Sequence, residues 1–129
     1  MLVSATVPED NAGGSSWDAL GGLPDPKVTL RANDGPTSFQ ESSESQSDTL
    51  TPSWSAVLLE NITWRALSMT IGVEVSDADP LGDDFMGSCW EAPTEGNADG
   101  GSFTIRCARD TGATPPQTGV SVTLRLRAH

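Results

Sequence analysis

Period-two alternation of apolar and polar residues recurs along this chain and limits what it can fold into. Val120, Val122, Leu124 and Leu126 alternate with Ser121, Thr123, Arg125 and Arg127; Phe103, Ile105 and Cys107 alternate in the same way, as do Val28, Leu30 and Ala32. Leu67, Met69, Ile71, Val73 and Val75 give the clearest run. Alternate residues share one face of a pleated strand, so each run has a face that must be covered by another sheet. No comparable pattern at helical spacing is present. Leu2–Val7 ended by Pro8, Lys27–Ala32 closed by the Asn33-Asp34-Gly35-Pro36 turn, and a weak polar edge within Ser38–Asp48 supply the first three strands. Trp54–Leu59, Leu67–Val75, Phe85–Trp90, a strand holding Phe103 to Cys107, and Val120–Arg127 supply the rest. The 13 Gly and 9 Pro fit the turns that so many short strands need. With 129 residues, the expectation is one domain, 1–129, folded as an all-β, eight-stranded antiparallel β-sandwich of Greek-key type.

Between two of these strands lies Asp77-Ala78-Asp79-Pro80-Leu81-Gly82-Asp83-Asp84-Phe85-Met86-Gly87, a loop crowded with carboxylates. Two carboxylates about 5 Å apart repel by roughly 3 kcal/mol at an effective dielectric near 20. A folded loop must therefore spread such charges or neutralise them. Calcium, which takes six to eight oxygen ligands in tolerant geometry, is the usual neutraliser. The EF-hand pattern does not fit: Gly82 falls at the sixth position after Asp77, but Leu81 occupies a ligand position and Ser88 stands where the bidentate Glu is required.

Charge narrows the partners. Eighteen Asp and Glu against seven Lys and Arg give a formal net charge of -11, which repels phosphate backbones and excludes nucleic acid as the expected partner. An anionic membrane needs local charge reversal, which bound calcium supplies. Cys89 and Cys107 are compatible with one disulfide in an extracellular or periplasmic setting, or with two reduced cysteines buried as small hydrophobes. The N-terminus lacks the basic start and apolar run of a signal peptide, and no segment approaches the length of a transmembrane helix. A strand beginning almost at Met1 fits either a domain cut from a longer polypeptide or a short natural protein. Catalysis is not expected, because the sole histidine is the terminal His129, leaving no base for a serine or cysteine nucleophile.

Three stretches, in order, resemble the C2 domain, the calcium-dependent phospholipid-binding module of protein kinase C, synaptotagmin and phospholipases. Trp17-Asp18-Ala19-Leu20-Gly21-Gly22-Leu23-Pro24-Asp25-Pro26-Lys27-Val28 is similar to the family's first loop. Thr49-Leu50-Thr51-Pro52-Ser53-Trp54-Ser55 resembles its step into strand four, and Asp77–Gly87 its third loop. The resemblance implies that Asp18 and Asp25 face Asp77, Asp79 and either Asp83 or Asp84 around calcium, with the Ala78 carbonyl as a further ligand. The first loop is one residue longer between its aspartates than the commonest family pattern, and the third is one residue shorter before its last Asp. It further implies that Leu20, Leu23 and Leu81 contact the membrane; the alternative is packing against Trp17. The strand order looks like the type II, phospholipase-type permutation. Ser38–Asp48 contains no Lys or Arg, unlike the lysine-rich strand with which many members hold phosphoinositides.

Two readings of function follow. In the first, a monomeric, non-enzymatic module docks to anionic phospholipid through calcium. In the second, it is a binding or structural module of an exported bacterial protein, with a protein partner, in which calcium only rigidifies the loops or is absent. Glu95–Gly100 reads as an ordinary acidic turn, and Asn61-Ile62-Thr63 as a sequon that matters only in a eukaryotic secretory setting.

Overall fold

The computed structural model describes residues 2–18, 21–54, 63, 65–66, 70–94 and 101–125. Eight strands run β1 Leu2–Thr6, β2 Pro26–Asp34, β3 Thr37–Ser42, β4 Ser53–Trp54, β5 Ile71–Asp77, β6 Asp84–Glu91, β7 Ser102–Asp110 and β8 Gln117–Arg125. They form two four-stranded antiparallel sheets, β4-β1-β8-β7 and β3-β2-β5-β6. This is the expected β-sandwich. The loops joining β1 to β2 and β5 to β6 emerge at one end of it, the order anticipated for the type II permutation.

The alternation explains the core. Val28, Leu30, Ile71, Val73 and Val75 from one sheet meet Ile105, Val120, Val122 and Leu124 from the other, all buried, with Met86 between them. Fully burying each such side chain is worth about 1.5–3 kcal/mol, so a one-residue slip of any strand would forfeit several of these at once. Trp17 and Trp54 are buried too, and each finds an acceptor for its indole N–H: Trp17 donates to Pro8 O (3.0 Å) and Trp54 to Glu44 O (2.7 Å). The two indoles thereby fasten connecting segments to the sandwich.

Several boundaries differ from the sequence expectation. The fifth strand begins at Ile71, with Thr70 outside it, and runs two residues beyond Val75 to Asp77; Leu67 and Met69 lie outside the described residues. The gain at its end comes from pairing, since Pro26 sits opposite Asp77 and Lys27 opposite Ser76 on β2. Arg65 and Ala66 are helical, and the Ala66 N–H donates to Thr63 Oγ1 (3.2 Å) as at a helix N-cap. The weak edge expected within Ser38–Asp48 is β3, Thr37–Ser42; the remainder leaves the sheet but follows β2, with Ser43 N–H donating to Val28 O, Gln46 N–H to Pro26 O and Thr49 N–H to Pro24 O. Of the strand expected over Trp54–Leu59, only Trp54 falls among the described residues. Asn61 and Ile62 of the sequon and all of Glu95–Gly100 also fall outside them, as do Leu126, Arg127 and His129.

Cys89 and Cys107 form a disulfide, which settles the alternatives left open above. It joins β6 to β7, each an edge strand of its sheet, and so closes one flank of the sandwich. The same flank is tied by Thr118 Oγ1–H donating to Met86 O (2.8 Å) and by Ser88 N–H donating to Gln117 Oε1 (3.1 Å). Side chains of β8 thus satisfy backbone groups of β6.

Candidate functional site

The site begins with the extra residues of β5. Ile71, Val73 and Val75 face the core, and Asp77 continues their parity, so a carboxylate occupies the next core-facing position, at the mouth between the sheets. It is fully buried. Its Oδ1 accepts a hydrogen bond from the Asp25 N–H (2.6 Å), while Oδ2 is buried with no partner. Leaving a buried carboxylate oxygen unmatched is costly, and the usual remedies are a pKa shift or a cation. Burial raises the Asp77 carboxyl to about 6, with the nearby charges of Asp79, Asp18 and Asp25 pushing the same way and the Asp25 N–H opposing them.

Asp18, Asp77 and Asp79 converge: one carboxylate oxygen from each lies within 4.8 Å of the others. The Asp18 carboxyl is also raised, first by lost hydration and then by the charges of Asp25, Asp79 and Asp48. Local chemistry holds the loops in this arrangement. Gly82 N–H donates to Asp79 O (3.2 Å), closing an Asp79-Pro80-Leu81-Gly82 turn with proline at its second position. Ala78 N–H donates to Asp25 O (3.0 Å), which latches the third loop to the first. Gly22 lets the Asp18 side chain fold inward, because a Cβ there would stand 2.6 Å from Asp18 Oδ2.

The remaining expected residues divide. Asp84 opens β6 directly opposite Asp77, so it shares that face of the sheet. Asp83 is instead ion-paired with Lys27, whose strand neighbours Pro26 and Val28 point inward, which places this pair on the outside of the sheet. Asp25 is half-buried beside the cluster, its Oδ1 accepting from the Asp48 N–H (2.8 Å). Leu81 is fully exposed at the apex of its turn and Leu23 is half-buried, while Leu20 lies outside the described residues.

Asp48 is the residue that sequence reasoning missed. It takes a left-handed backbone conformation (φ 53°), its N–H holds the Asp25 carboxylate and its own charge acts on Asp18. An aspartate in a polar run just before the Thr49–Pro52 step was the available signal, since Asp tolerates that conformation in turns.

No protein-family model matches the chain, and no curated protein matches it. Solved structures do. A structure described as a C2 domain aligns with 95% of this chain and 89% of its own at 15% identity and a TM-score of 0.56. A C2 domain of a plant extended synaptotagmin 1 aligns over 95% and 90% at 15% identity, TM-score 0.57. The calcium-bound tandem C2 domains of extended synaptotagmin 2 align over 95% of this chain and 42% of that one at 20% identity, TM-score 0.52. At such identities the likeness speaks for architecture, and with the strand order above it identifies this chain's fold as that of a C2 domain.

Proposed function

We propose that the loop end binds calcium and, once loaded, docks to anionic phospholipid. The buried Asp77 carboxylate, whose Oδ2 has no hydrogen-bond partner, carries this reading, because it belongs to a cluster whose other members are also carboxylates. Hard oxygen donors of this kind suit calcium. Asp18, Asp77 and Asp79 would hold the ion, with Asp25, Asp84 and the Ala78 carbonyl completing the donor set; Asp83 is already neutralised by Lys27. Bound calcium cancels local negative charge and offers open coordination positions to lipid phosphate. The fully exposed Leu81 beside the cluster adds an apolar contact, worth up to about 1.5–3 kcal/mol if buried in lipid. The calcium-bound state of one similar structure supports the metal. The module is a binding device rather than an enzyme in this reading, and the disulfide favours an extracellular or periplasmic location.

Vesicle sedimentation tests the proposal. The protein should pellet with vesicles of phosphatidylserine and phosphatidylcholine in millimolar calcium and remain in the supernatant with chelator. No pelleting in saturating calcium removes membrane docking. If the same calcium still raises the melting temperature, the second reading stands, with the ion serving only to rigidify the loops.

A further inference from the structure

Trp90 is the one large apolar side chain besides Leu81 that stands exposed among the described residues, and the loop site does not use it. It is 53% exposed on the outer face of the β3-β2-β5-β6 sheet, directly opposite Gly72. A Cβ at Gly72 would meet three consecutive atoms of the indole six-membered ring at 2.7, 2.7 and 2.8 Å. Three neighbouring ring atoms are equally near a point only when it lies over the ring's face, so the indole lies flat on the glycine, its far side open to water. Across Gly72 in the other direction is Arg31, and the Cα atoms of Arg31 and Trp90, two strand spacings apart, are separated by about 10 Å.

The guanidinium of Arg31 is held in place. Its Nε–H donates to Gln40 Oε1 (3.1 Å) and its Nη1 to Glu74 Oε2 (3.2 Å). Three of its five N–H donors remain free of these two bonds, and Glu74 keeps further acceptor sites. Phe85 shares this face at the other end of β6; its partner Ser76 is four residues from Gly72, about 13 Å along the strand. Thr29, Ser42 and Ser88 lie between, all short and hydroxylated. Indole stacking beside fixed donors and acceptors is the chemistry that recognises a sugar ring, which has an apolar C–H face and a rim of hydroxyls. The charges point the same way. Arg31 and Glu74 cancel each other, an anionic ligand would be repelled by the chain's net charge of -11, and a cationic one would meet Arg31. A protein partner usually buries a cluster of apolar anchors, whereas Trp90 and the half-buried Phe85 stand apart at opposite ends of β6 with hydroxylated residues between them. The geometry points to a binding site for a neutral polysaccharide on this face, with Trp90 as the stacking platform, Arg31 and Glu74 as the hydroxyl-binding pair, and Phe85 marking a second subsite along the chain.

Native gels containing soluble neutral polysaccharide (mixed-linkage β-glucan, xylan, galactomannan or pullulan) test it, run in chelator so that the loop site stays silent. At least one of these retards the wild type, and titration with the matching hexasaccharide changes tryptophan fluorescence. Trp90→Ala weakens retardation by about tenfold or more, Trp90→Phe retains part of it, and Arg31→Met reduces it without touching the aromatic. Gly72→Ala unseats the ring while leaving Trp90 in the sequence, and it weakens binding at a melting temperature that confirms folding. Absence of retardation by all four polysaccharides overturns the proposal, as does equal retardation of wild type and the folded Trp90 variants. Concentration-dependent self-association that Trp90→Ala abolishes, with no retardation by any polysaccharide, assigns the face to a second copy of the chain instead.

Discussion

The mouth of the sandwich and the outer face of its β3-β2-β5-β6 sheet treat charge in opposite ways. On the outer face Arg31 meets Glu74 and Lys27 meets Asp83, so each of these cations has an anion from a neighbouring segment. At the mouth, a few residues away, Asp18, Asp77 and Asp79 converge, and one buried oxygen has no partner. Asp77 ends β5 and Asp83 lies in the short loop that follows it, six positions on, yet the two fall on different sides of this divide. Proximity in sequence to other acids does not mark a site; what separates the two is whether the fold already provides the opposite charge.

The comparison can be broken experimentally. The largest effect should come from outside both regions. Replacing Cys89 and Cys107 together by Ala removes an 18-residue cross-link and should cost about 3 kcal/mol, yet the rise in melting temperature on adding calcium should be nearly that of the wild type, because the bridge lies on the flank. Loss of the calcium response in this variant, measured by differential scanning calorimetry, would show that flank and mouth are coupled. Next in size is the mouth itself. Calcium at 100 times its dissociation constant should add about 2.7 kcal/mol to the wild type, and Asp77→Asn should abolish that increment. The same substitution should stabilise the calcium-free protein at neutral pH, since it keeps an acceptor for the Asp25 N–H and removes a buried charge. If Asp77→Asn instead behaves like an ordinary core lesion in chelator, the carboxylate is not a source of strain.

Acidity sharpens the same point. The Asp77 carboxyl titrates near 6 in the folded chain, against 3.8 for an ordinary aspartate. A raised folded value means that the native state holds its proton longer than the unfolded one. Its contribution therefore favours folding below about pH 4 and is lost as pH rises through 6. After allowing for water at the open mouth, the difference is on the order of 2 kcal/mol. Denaturant melts of the calcium-free wild type and Asp77→Asn should diverge across pH 4 to 6 and run parallel above it; parallel curves throughout would contradict the shift. The smallest effect belongs to the outer pair: Lys27→Met should change stability by less than about 1 kcal/mol, as surface ion pairs generally do. A larger loss in calcium affinity than in stability, read by isothermal titration, would show that freeing Asp83 disturbs the mouth.

Much of this was legible in the sequence. Alternation placed β2, β7 and β8, because a strand with one buried face leaves an apolar residue at every second position, and the two acidic loops were visible as interruptions of that pattern. The end of β5 was not legible. Ser76 and Asp77 read as loop, and only pairing with Lys27 and Pro26 makes them strand and buries the carboxylate. The different settings of Asp83 and Asp84 depend likewise on a contact 56 residues away, from Lys27, and on a register shift in β6. Asp48 was harder to see because one part of its role is played through a backbone N–H, which every residue but proline possesses, and the other depends on the fold bringing its charge near Asp18.

The flank disulfide has a mechanical corollary. Stretching the chain between its termini can pull out every segment except the one enclosed by Cys89 and Cys107. Those 18 residues, about 60 Å of extended backbone, stay locked behind the bridge. In single-molecule extension the oxidised domain should therefore release a shorter contour length than the reduced one by about that amount, less the 5.5 Å already spanned between the two Cα atoms.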